Sequence, residues 1–404
     1  MIPILFDREL SPKTIVNSNN LGLGMLNDCI SATVTEELNG KYELTIEYPV
    51  DGIHFADIDY CSWIKATPHV RAEDTGEQYQ LFRVYKISKP INGVCTISAE
   101  HVSYMLSYAI VRPYSWTSHN QLDASDALDA ILDSIVVDKF QRNGNLSFNF
   151  NCLWYTDEQY FLMEDSKSVR EYLLGKDSSI ISTYGSGEYR FNNFEVYLYA
   201  PGMRGTDRGV TIEYGKNMTN LKMDVSDEEI ITGYYPYWLK EYTDAQQQAG
   251  YPNFAFIDLA SYAETPVIYY AGPEANFPFY PRVISLNLAD FEQWKNIPAS
   301  PSASIPYQDF YRCVAEYARS QGVIDDGPTT HARRSIDVTF IDPSTTEQYH
   351  NIEPLQKVWL GDYVTVKYPK YQIQEQMRVV TTQYDVLHDR YNQLTLGQPF
   401  DVLY

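Results

Sequence analysis

The stretch that decides the fold runs from Gly187 to Trp238 and reads GEYRFNNFEVYLYAPGMRGTDRGVTIEYGKNMTNLKMDVSDEEIITGYYPYW. Large apolar residues alternate with polar ones from Tyr189 to Leu198, and again from Val210 to Val225. A segment rich in Gly, Pro and Asp, Pro201–Gly209, separates the two alternating runs. Alternation with a period of two, interrupted by glycine, is typical of half-buried antiparallel strands. The stretch therefore predicts consecutive strands joined by tight turns.

The first hundred residues carry the same kind of pattern. A run from Ile30 to Glu37 leads to Asn39-Gly40, a strong hairpin signal. The return strand places its large apolar side chains on one face, namely Tyr42, Leu44, Ile46 and Tyr48. Further strands are expected over Cys61–Thr67, Leu81–Ser88 and Cys95–Ala99, the last two joined through Asn92-Gly93. This region predicts a small antiparallel β-barrel.

Helical spacing appears first in the region that follows. Asp126–Val137 carries apolar residues on one face, with Ser125 placed as an N-cap. A second helix is expected from about Lys167 to Leu174, with Ser166 as cap and Gly175 as terminator. Strand-like residues at Leu146–Phe150 lie between the two helices. We interpret residues 109–207 as an inserted α/β domain.

The C-terminal region echoes the N-terminal one. Strands are expected over Ser335–Phe340, over Val358–Tyr368 with a break at Gly361, and in a hairpin of Met377–Val386 with Tyr391–Gly397. The echo pairs Trp63 with Trp359, Leu81–Val84 with Gln376–Val379, and Thr96–Ser98 with Gln393–Thr395. We infer two copies of one barrel module, the second split by an insertion.

These patterns together predict a mainly β fold with α+β inserts. The expected domains are a first β-barrel at 1–108, an α/β insert at 109–207, a split second barrel at 208–239 and 331–404, and an α+β insert at 240–330. The clearest element of the last insert is a helix over Gln308–Ser320.

Composition excludes several classes of partner. The chain has 404 residues, with 53 acidic and 31 basic side chains and a net charge of −22. This balance argues against binding the phosphates of nucleic acid or an anionic membrane, both of which need basic patches. It would suit a channel that DNA passes without adhering, although it is also what keeps an ordinary surface hydrated. The 35 tyrosines fit strands and subunit contacts.

The cysteines and the N-terminus indicate the cellular compartment in which the protein is made. Five scattered cysteines without a CxxC pair are expected to be reduced and mostly buried, as in a protein assembled in cytoplasm. The N-terminus lacks the basic and apolar regions of a secretory signal. No run approaches 18 apolar residues, so no membrane insertion is expected.

Short motifs that could carry chemistry are each better explained without it. His350 lies between Glu347 and Glu353, but Pro343 and Pro354 oppose the helix that would bring these groups onto one face.

The other candidates are equally weak. Asp57 and Asp59 form a DxD pair too small for a calcium loop, so capping is expected. Leu21–Gly24 lacks the rest of a phosphate loop, and Ser182 and Ser186 lack the nucleophile elbow. The glycosylation sequons at Asn145 and Asn217 require secretion to matter. We therefore predict no catalytic, metal or cofactor-binding residues, and no cofactor.

Three segments of the opening stretch resemble one known family. They are EYRFNN at Glu188–Asn193, DRGVTIEYGKNMTNLK at Asp207–Lys222 and YPYW at Tyr235–Trp238. The resemblance is to the prophage tail proteins called tail endopeptidases or tail-associated lysins, in their N-terminal baseplate-hub region. In that family Asn192 is replaced by Asp. His101 also matches a family position, where a structural hydrogen bond is its expected role.

The resemblance implies a structural rather than an enzymatic function. Hub proteins of this kind carry two β-barrels per chain and trimerise into a pseudo-sixfold ring around a channel. Expected partners are a hexameric distal tail protein, the C-terminus of the tape-measure protein, and receptor-binding or other baseplate proteins. The expected location is the distal tail of a virion assembled in the host bacterial cytoplasm. Any lytic domain is expected beyond residue 404.

Two alternatives stay open at this point. One is a cell-wall-degrading tail endopeptidase, which requires a carboxylate pair or an open zinc site. The other is a binder of host-surface glycans, in which aromatic residues such as Trp116, Trp154 and Trp238 would stack on sugars.

Overall fold

A computed structural model of the chain describes residues 2–68, 79–88, 93–113, 121–137, 148–185, 187–214, 216–226, 233–241, 254–258, 268–269, 283–287, 333–340, 358–371 and 373–397. The chain divides into two compact units, residues 1–223 with 335–404 and residues 224–334. The fold is mainly β with largely antiparallel pairing, as the sequence predicts.

The N-terminal strands follow the alternation of the sequence. The elements of this region are β1 (Ile4–Phe6), α1 (Pro12–Val16), β2 (Gly24–Met25), β3 (Ser31–Glu37), β4 (Tyr42–Pro49), a 3₁₀ helix (Phe55–Asp57), β5 (Trp63–Ala66), β6 (Gln80–Ser88), β7 (Val94–His101) and a 3₁₀ helix (Val102–Tyr108). The four apolar residues predicted to share a face of β4 are all buried. Asn39 adopts a left-handed conformation in the β3–β4 turn, which confirms the hairpin.

Helices and short sheets make up the next region. Its elements are β8 (Ile110–Val111), β9 (Gln121–Leu122), α2 (Ala124–Asp133), β10 (Ile135–Val137), β11 (Asn149–Leu153), β12 (Gln159–Tyr160), β13 (Lys167–Ser168), α3 (Val169–Leu174), α4 (Ile180–Tyr184), β14 (Glu188–Asn192) and β15 (Glu195–Tyr199). Both predicted helices exist, but the first ends at Asp133, and the residues Ile135–Val137 that were predicted to continue it form β10, which pairs with β8. Strand β11 lies parallel to β15.

The predicted helix caps were wrong by two residues each. Helix α2 is capped by Asp123, whose carboxylate accepts a hydrogen bond from the Asp126 N–H at 2.8 Å, because Ser125 already lies inside the helix. Helix α3 is capped by Ser168 in a capping box with Glu171. Ser166 instead donates its hydroxyl hydrogen to a backbone carbonyl oxygen of β8.

The remaining strands complete the first unit and form the second. They are β16 (Asp207–Glu213), β17 (Met218–Ser226), β18 (Gly233–Glu241), β19 (Phe254–Asp258), β20 (Ile268–Tyr269), β21 (Val283–Asn287), β22 (Arg333–Phe340), β23 (Tyr363–Tyr368), β24 (Ile373–Asp385) and β25 (Arg390–Gly397), with a 3₁₀ helix at Pro369–Tyr371. In the second unit β18 pairs with β19, β20 and β21. The helix predicted at Gln308–Ser320 lies outside the described residues.

The first unit contains two copies of one six-stranded arrangement. The first module follows the order β3-β4-β7-β6-β5-β1, and the second follows β17-β22-β25-β24-β23-β16. When the strands of each module are ranked by their order in the chain, the two spatial orders are identical, so the topologies match strand for strand. A ladder between β24 and β3 joins both modules into one sheet. One pairing differs, since β1 is antiparallel to β5 whereas β16 is parallel to β23.

Local geometry repeats along with topology. Strand β6 has a bulge between Val84 and Lys86, and β24 has one between Val379 and Thr381. In the first module the Cys61 N–H donates to the Val84 carbonyl oxygen at 2.9 Å.

The second module reproduces that contact. The Gly361 N–H donates to the Val379 carbonyl oxygen, also at 2.9 Å. Cys61 and Gly361 both have positive φ, +67° and +91°. These repeated details support a duplicated module, because a generic hairpin would not reproduce them.

The structure also corrects one part of the predicted echo. Trp63 lies opposite Arg83, and the residue opposite Arg378 is Tyr363. Tyr363 is therefore the counterpart of Trp63, and Trp359 is not. Trp359 instead begins a turn in which its N–H donates to the Asp362 carboxylate at 3.0 Å.

Candidate functional site

A cluster of buried and half-buried polar side chains joins β14 and the segment after β15 to both modules. We call it the polar junction and define it as Glu36, Asn39, Glu188, Arg204 and Arg378. The first two come from the β3–β4 hairpin of the first module. Glu188 begins β14, Arg204 follows β15, and Arg378 lies in β24 of the second module. Glu188 and Arg204 both belong to the stretch that the sequence marks as most distinctive.

The ion pair between Glu188 and Arg378 lies at the centre of the junction. Arg378 Nη2 donates to Glu188 Oε2 at 2.6 Å, and Nη1 donates to the other carboxylate oxygen. The side chains are 3% and 4% exposed. The N–H groups of Gly202 and Arg204 donate to the same carboxylate at 2.7 and 3.0 Å. The carboxylate is thus fully satisfied, which a buried charge requires.

Electrostatics inside the junction favour the charged arginine. Burial acts to lower the pKa of Arg378, but the hydrogen bond and charge of Glu188 outweigh it, so the pKa is raised. The Arg378 Nε–H also donates to the Gly361 carbonyl oxygen at 2.9 Å. The guanidinium therefore holds strand β24 and the turn at Gly361 against the start of β14.

The tip of the β3–β4 hairpin binds the other side of the junction. Arg204 donates to Glu36 Oε1 and to the Tyr189 carbonyl oxygen, the latter at 2.9 Å. Asn39 Nδ2 donates to the Gly187 carbonyl oxygen at 2.7 Å, and Asn39 Oδ1 accepts from the Tyr189 N–H at 2.8 Å. The hairpin side chain thus recognises backbone on both sides of Glu188.

A second polar contact links β14 to the first module. Gln80 Nε2 donates to Asn192 Oδ1 at 2.6 Å, and Gln80 Oε1 accepts from the Asn193 N–H at 2.8 Å. His101 Nε2 lies 3.0 Å from the same oxygen, while Nδ1 accepts from the Ser103 N–H. These contacts assign the proton to Nε2 of a neutral imidazole.

The role of His101 is structural, as the resemblance implies. Its side chain is fully buried, and burial followed by the nearby charge of Arg170 holds its pKa well below the ordinary value. The ring stacks on Tyr42 with centroids 4.2 Å apart. A neutral, doubly hydrogen-bonded imidazole at this position locks strand β7 to the start of β6.

The weak chemical motifs of the N-terminal region have local structural roles. Asp57 interacts with His54 at 3.1 Å, and Asp59 accepts from Arg8 at 2.8 Å. Gly22 has φ of +55°, and a side chain there would meet the Leu5 carbonyl oxygen at 2.3 Å. Close backbone packing therefore accounts for this glycine without a phosphate.

The remaining motifs also have structural roles, or they lie outside the described residues. Ser182 forms a capping box with Ser179 at the start of α4. Asn217 bonds backbone groups of the β16–β17 turn through both ends of its amide. Trp154 packs partly buried against the core. His350, Ser186, Asn145 and Trp116 lie outside the described residues, as does the side chain of Trp238.

The described residues hold neither a cluster suited to a metal ion nor a helix suited to a membrane. Within them no group of three or more His, Cys, Asp or Glu side chains is placed to hold a metal ion. None of the described helices combines the length and apolarity needed to cross a membrane. Among the described cysteines only Cys95 is buried, while Cys29 and Cys152 are half-buried, so the prediction of mostly buried cysteines was wrong for these residues. Cys61 is exposed rather than buried, because it occupies a surface turn.

Sequence reasoning identified the important stretch but not its partners. The Asn39-Gly40 dipeptide signals a hairpin and gives no sign that Asn39 also binds Gly187 and Tyr189, some 150 positions away. The match between Arg83 and Arg378 was the available signal for an anchoring arginine. It marks the position on the strand but not the carboxylate partner.

Comparison with solved structures places the fold. The prophage tail protein gp18 from Listeria monocytogenes is 14% identical, with 98% of this chain and 94% of that chain covered and a TM-score of 0.50. The 43 kDa tail protein of prophage MuSo2 from Shewanella oneidensis is 11% identical, with 94% and 97% covered and a TM-score of 0.51. At these identities the likeness shows a shared fold. No protein-family model matches the sequence and no curated protein is similar enough to count as a relative, so membership of the tail-associated lysin family stays a prediction.

Proposed function

We propose that this protein is a structural hub at the distal end of a phage tail. The observation that carries the proposal is the duplicated six-stranded module, with both copies in one sheet and held by the polar junction. The fold shared with two prophage tail proteins supports the same assignment. The distinctive residues Glu188 and Arg204 serve to fix the modules rather than to form a reaction centre.

The duplication suits a symmetry problem of tails. Two similar modules in each of three chains provide six similar positions around one axis. A homotrimer of this kind would present a pseudo-sixfold face to a hexameric distal tail protein and a threefold face to the tip. A rigid junction is needed for this, since the angle between the two modules of one chain must match the angle between neighbouring chains.

Each region has a place in this assembly. The barrel domains at 1–108 and at 208–239 with 331–404 would form the ring around the channel. The inserts at 109–207 and 240–330 would project from it, toward the host and toward receptor-binding or other baseplate proteins. The channel would hold the C-terminus of the tape-measure protein and later pass DNA, which a chain of net charge −22 would not bind through its phosphates.

The proposal describes a virion component without catalytic activity. Assembly would take place in the host bacterial cytoplasm and the protein would end in the distal tail. A cell-wall peptidase or a glycan binder is tested at the same time by incubating the protein with peptidoglycan and with a glycan array. Release of wall fragments, or binding to a defined sugar, would contradict a purely structural role.

Mass photometry of the purified chain tests the proposal directly. A trimer should appear at three times 46.5 kDa, about 140 kDa, and its fraction should rise with concentration. Adding the hexameric distal tail protein should give a larger complex. A particle that stays at the mass of one chain at micromolar concentration and ignores the distal tail protein would overturn it.

A further inference from the structure

The segment of residues 153–163 is apolar on both of its faces. Its inner face is packed, since Trp154 and Phe161 both lie against the ring of Tyr184, with centroids 6.4 and 6.3 Å from it. Because both side chains contact one ring, the two parts of the segment lie close together. A surface segment packed in this way is ordinarily polar on the side that faces water.

The outer face of the segment carries large apolar side chains instead. We call it the aromatic patch and define it as Leu153, Tyr155, Tyr160 and Leu162. Tyr155 is 99% exposed and Tyr160 is 66% exposed, and both leucines are exposed as well. Together the four side chains present on the order of 400 Å² of surface, a size at which an exposed patch on one chain is often a binding site.

Hydrogen bonds hold the aromatic patch against the start of helix α2. The Ala124 N–H donates to Thr156 Oγ1 at 2.9 Å. Tyr160 lies opposite Gln121 in the ladder between β9 and β12. The turn between these two points is thus anchored at both ends, so Tyr155 and Tyr160 are presented together on packed secondary structure.

The surroundings of the aromatic patch are acidic. Residues 121–137 and 148–166 contain no Lys, Arg or His. Exposed carboxylates flank the patch in the turn, on helix α2 and after β12, namely Asp157, Glu158, Asp126 and Glu164. Lys167, the first basic residue after the patch, is engaged elsewhere, since its Nζ donates to the Asp177 carbonyl oxygen at 2.9 Å. A partner that covers the patch must therefore bring positive charge.

The negative field extends to the core beneath the patch. Burial, followed by the charges of Asp123 and Asp126, raises the pKa of Tyr184 above its ordinary value. Such a field repels nucleic acid, an anionic lipid surface and the same face of a second copy of the chain. It attracts Lys and Arg side chains, whose cationic groups also bind the faces of tyrosine rings.

We propose that the aromatic patch binds a segment of another protein in which Lys or Arg residues alternate with large apolar residues. The apolar side chains of that segment cover Leu153 and Leu162, and its cationic groups contact the flanking carboxylates and the two tyrosine rings. The inference goes beyond the hub proposal and does not depend on it, because the whole patch belongs to one chain.

Fluorescence anisotropy with a labelled synthetic peptide tests the inference. The probe is a short peptide of alternating Lys and Leu, titrated with the purified chain. Two control peptides replace every Lys by Glu or every Leu by Ser. The probe should bind at least about tenfold more tightly than either control, because the patch requires both charge and apolar contact. Raising the ionic strength from about 0.05 M to about 0.5 M should weaken the binding without abolishing it.

A matched pair of double variants shows where the probe binds. Tyr155→Ser/Tyr160→Ser removes the aromatic part of the patch and leaves the net charge unchanged. Tyr60→Ser/Tyr214→Ser makes the same change at two tyrosines outside the patch, which are 54% and 59% exposed. The first variant should bind the probe about tenfold more weakly, and the second should stay within about twofold of the unchanged chain. Far-UV circular dichroism establishes that both variants fold.

Several outcomes would overturn the inference. They are equal affinity of the two double variants for the probe, equal affinity of the chain for the probe and its Glu counterpart, and no binding at all. An oligomer mass altered by Tyr155→Ser/Tyr160→Ser alone would instead identify the patch as a contact between copies of the chain. Binding of a sugar that is lost in the same variant would assign the patch to glycans.

Mass photometry keeps this result separate from the proposed function. A trimer that forms normally while the probe fails to bind would overturn the inference and leave the hub proposal standing. A particle that stays a single chain and binds the probe at the aromatic patch would overturn the hub proposal and support the inference.

Discussion

Replacing Arg378 by methionine should destabilise the first unit by about 3–5 kcal/mol, because it leaves the buried Glu188 carboxylate without its cation. Methionine keeps most of the volume of the aliphatic stem, so the loss reports charge and hydrogen bonds rather than a cavity. The remaining partners of Glu188 are two backbone N–H groups, at 2.7 and 3.0 Å. A loss of this size is a large share of the about 5–15 kcal/mol that stabilises a typical domain.

The duplication supplies an internal control for that substitution. Arg83 occupies the same strand position in the first module and pairs with Glu100 at 2.6 Å, but the two side chains are 21% and 14% exposed. Water screens this pair, so Arg83→Met should cost only about 1–2 kcal/mol. Adding Glu188→Gln to Arg378→Met should recover about 2 kcal/mol, since it removes the unpaired charge.

Urea unfolding monitored by tryptophan fluorescence gives the free energies, with limited proteolysis as an independent measure of opening. Both arginine variants are compared at the same pH and salt concentration. A loss for Arg378→Met no larger than that for Arg83→Met would refute the view that the polar junction holds the modules together.

Three further results are expected. Cys61→Gly should raise the melting temperature, since glycine relieves a left-handed conformation that costs roughly 1 kcal/mol, whereas Gly361→Ala should lower it. Changes of the same sign in the two variants would contradict the equivalence of the two turns. Burial, helped by neighbouring negative groups, raises the pKa of Cys29 to about 12. At pH 8 iodoacetamide should therefore modify the exposed Cys61 and spare Cys29, and peptide mass spectrometry measures the extent of modification at each thiol. The pKa of His101 is lowered in the folded state, so as the pH falls the unfolded chain takes up a proton first, and the free energy of unfolding decreases below about pH 6.5. His101→Gln should reduce the slope of the free energy of unfolding against pH by up to about 1.4 kcal/mol per pH unit. An unchanged slope would mean that the imidazole is accessible to protons in the folded state.

Local features of the fold could be predicted from the sequence. The alternation over Tyr42–Tyr48 and the Asn39-Gly40 turn depend on neighbouring residues, and both are present in the structure. The echo of Arg83 in Arg378 was also predicted, because a bulged strand with one anchoring arginine leaves a short local pattern.

Pairings between distant segments could not be predicted. The parallel ladder of β16 with β23 and the ladder of β24 with β3 join residues more than 150 positions apart, and alternation gives the face of a strand without naming its neighbour. The same limit hid the polar junction. The sequence marks Glu188 by its distinctive stretch and Arg378 by its echo of Arg83, but it does not show that the two side chains form a buried ion pair.

Electron microscopy of the purified protein tests the central claim most directly. Two similar modules in each chain predict class averages with a ring of six similar lobes around a central opening, related by threefold symmetry. Single compact particles without an opening, or rings whose alternate lobes differ in fold, would contradict the account.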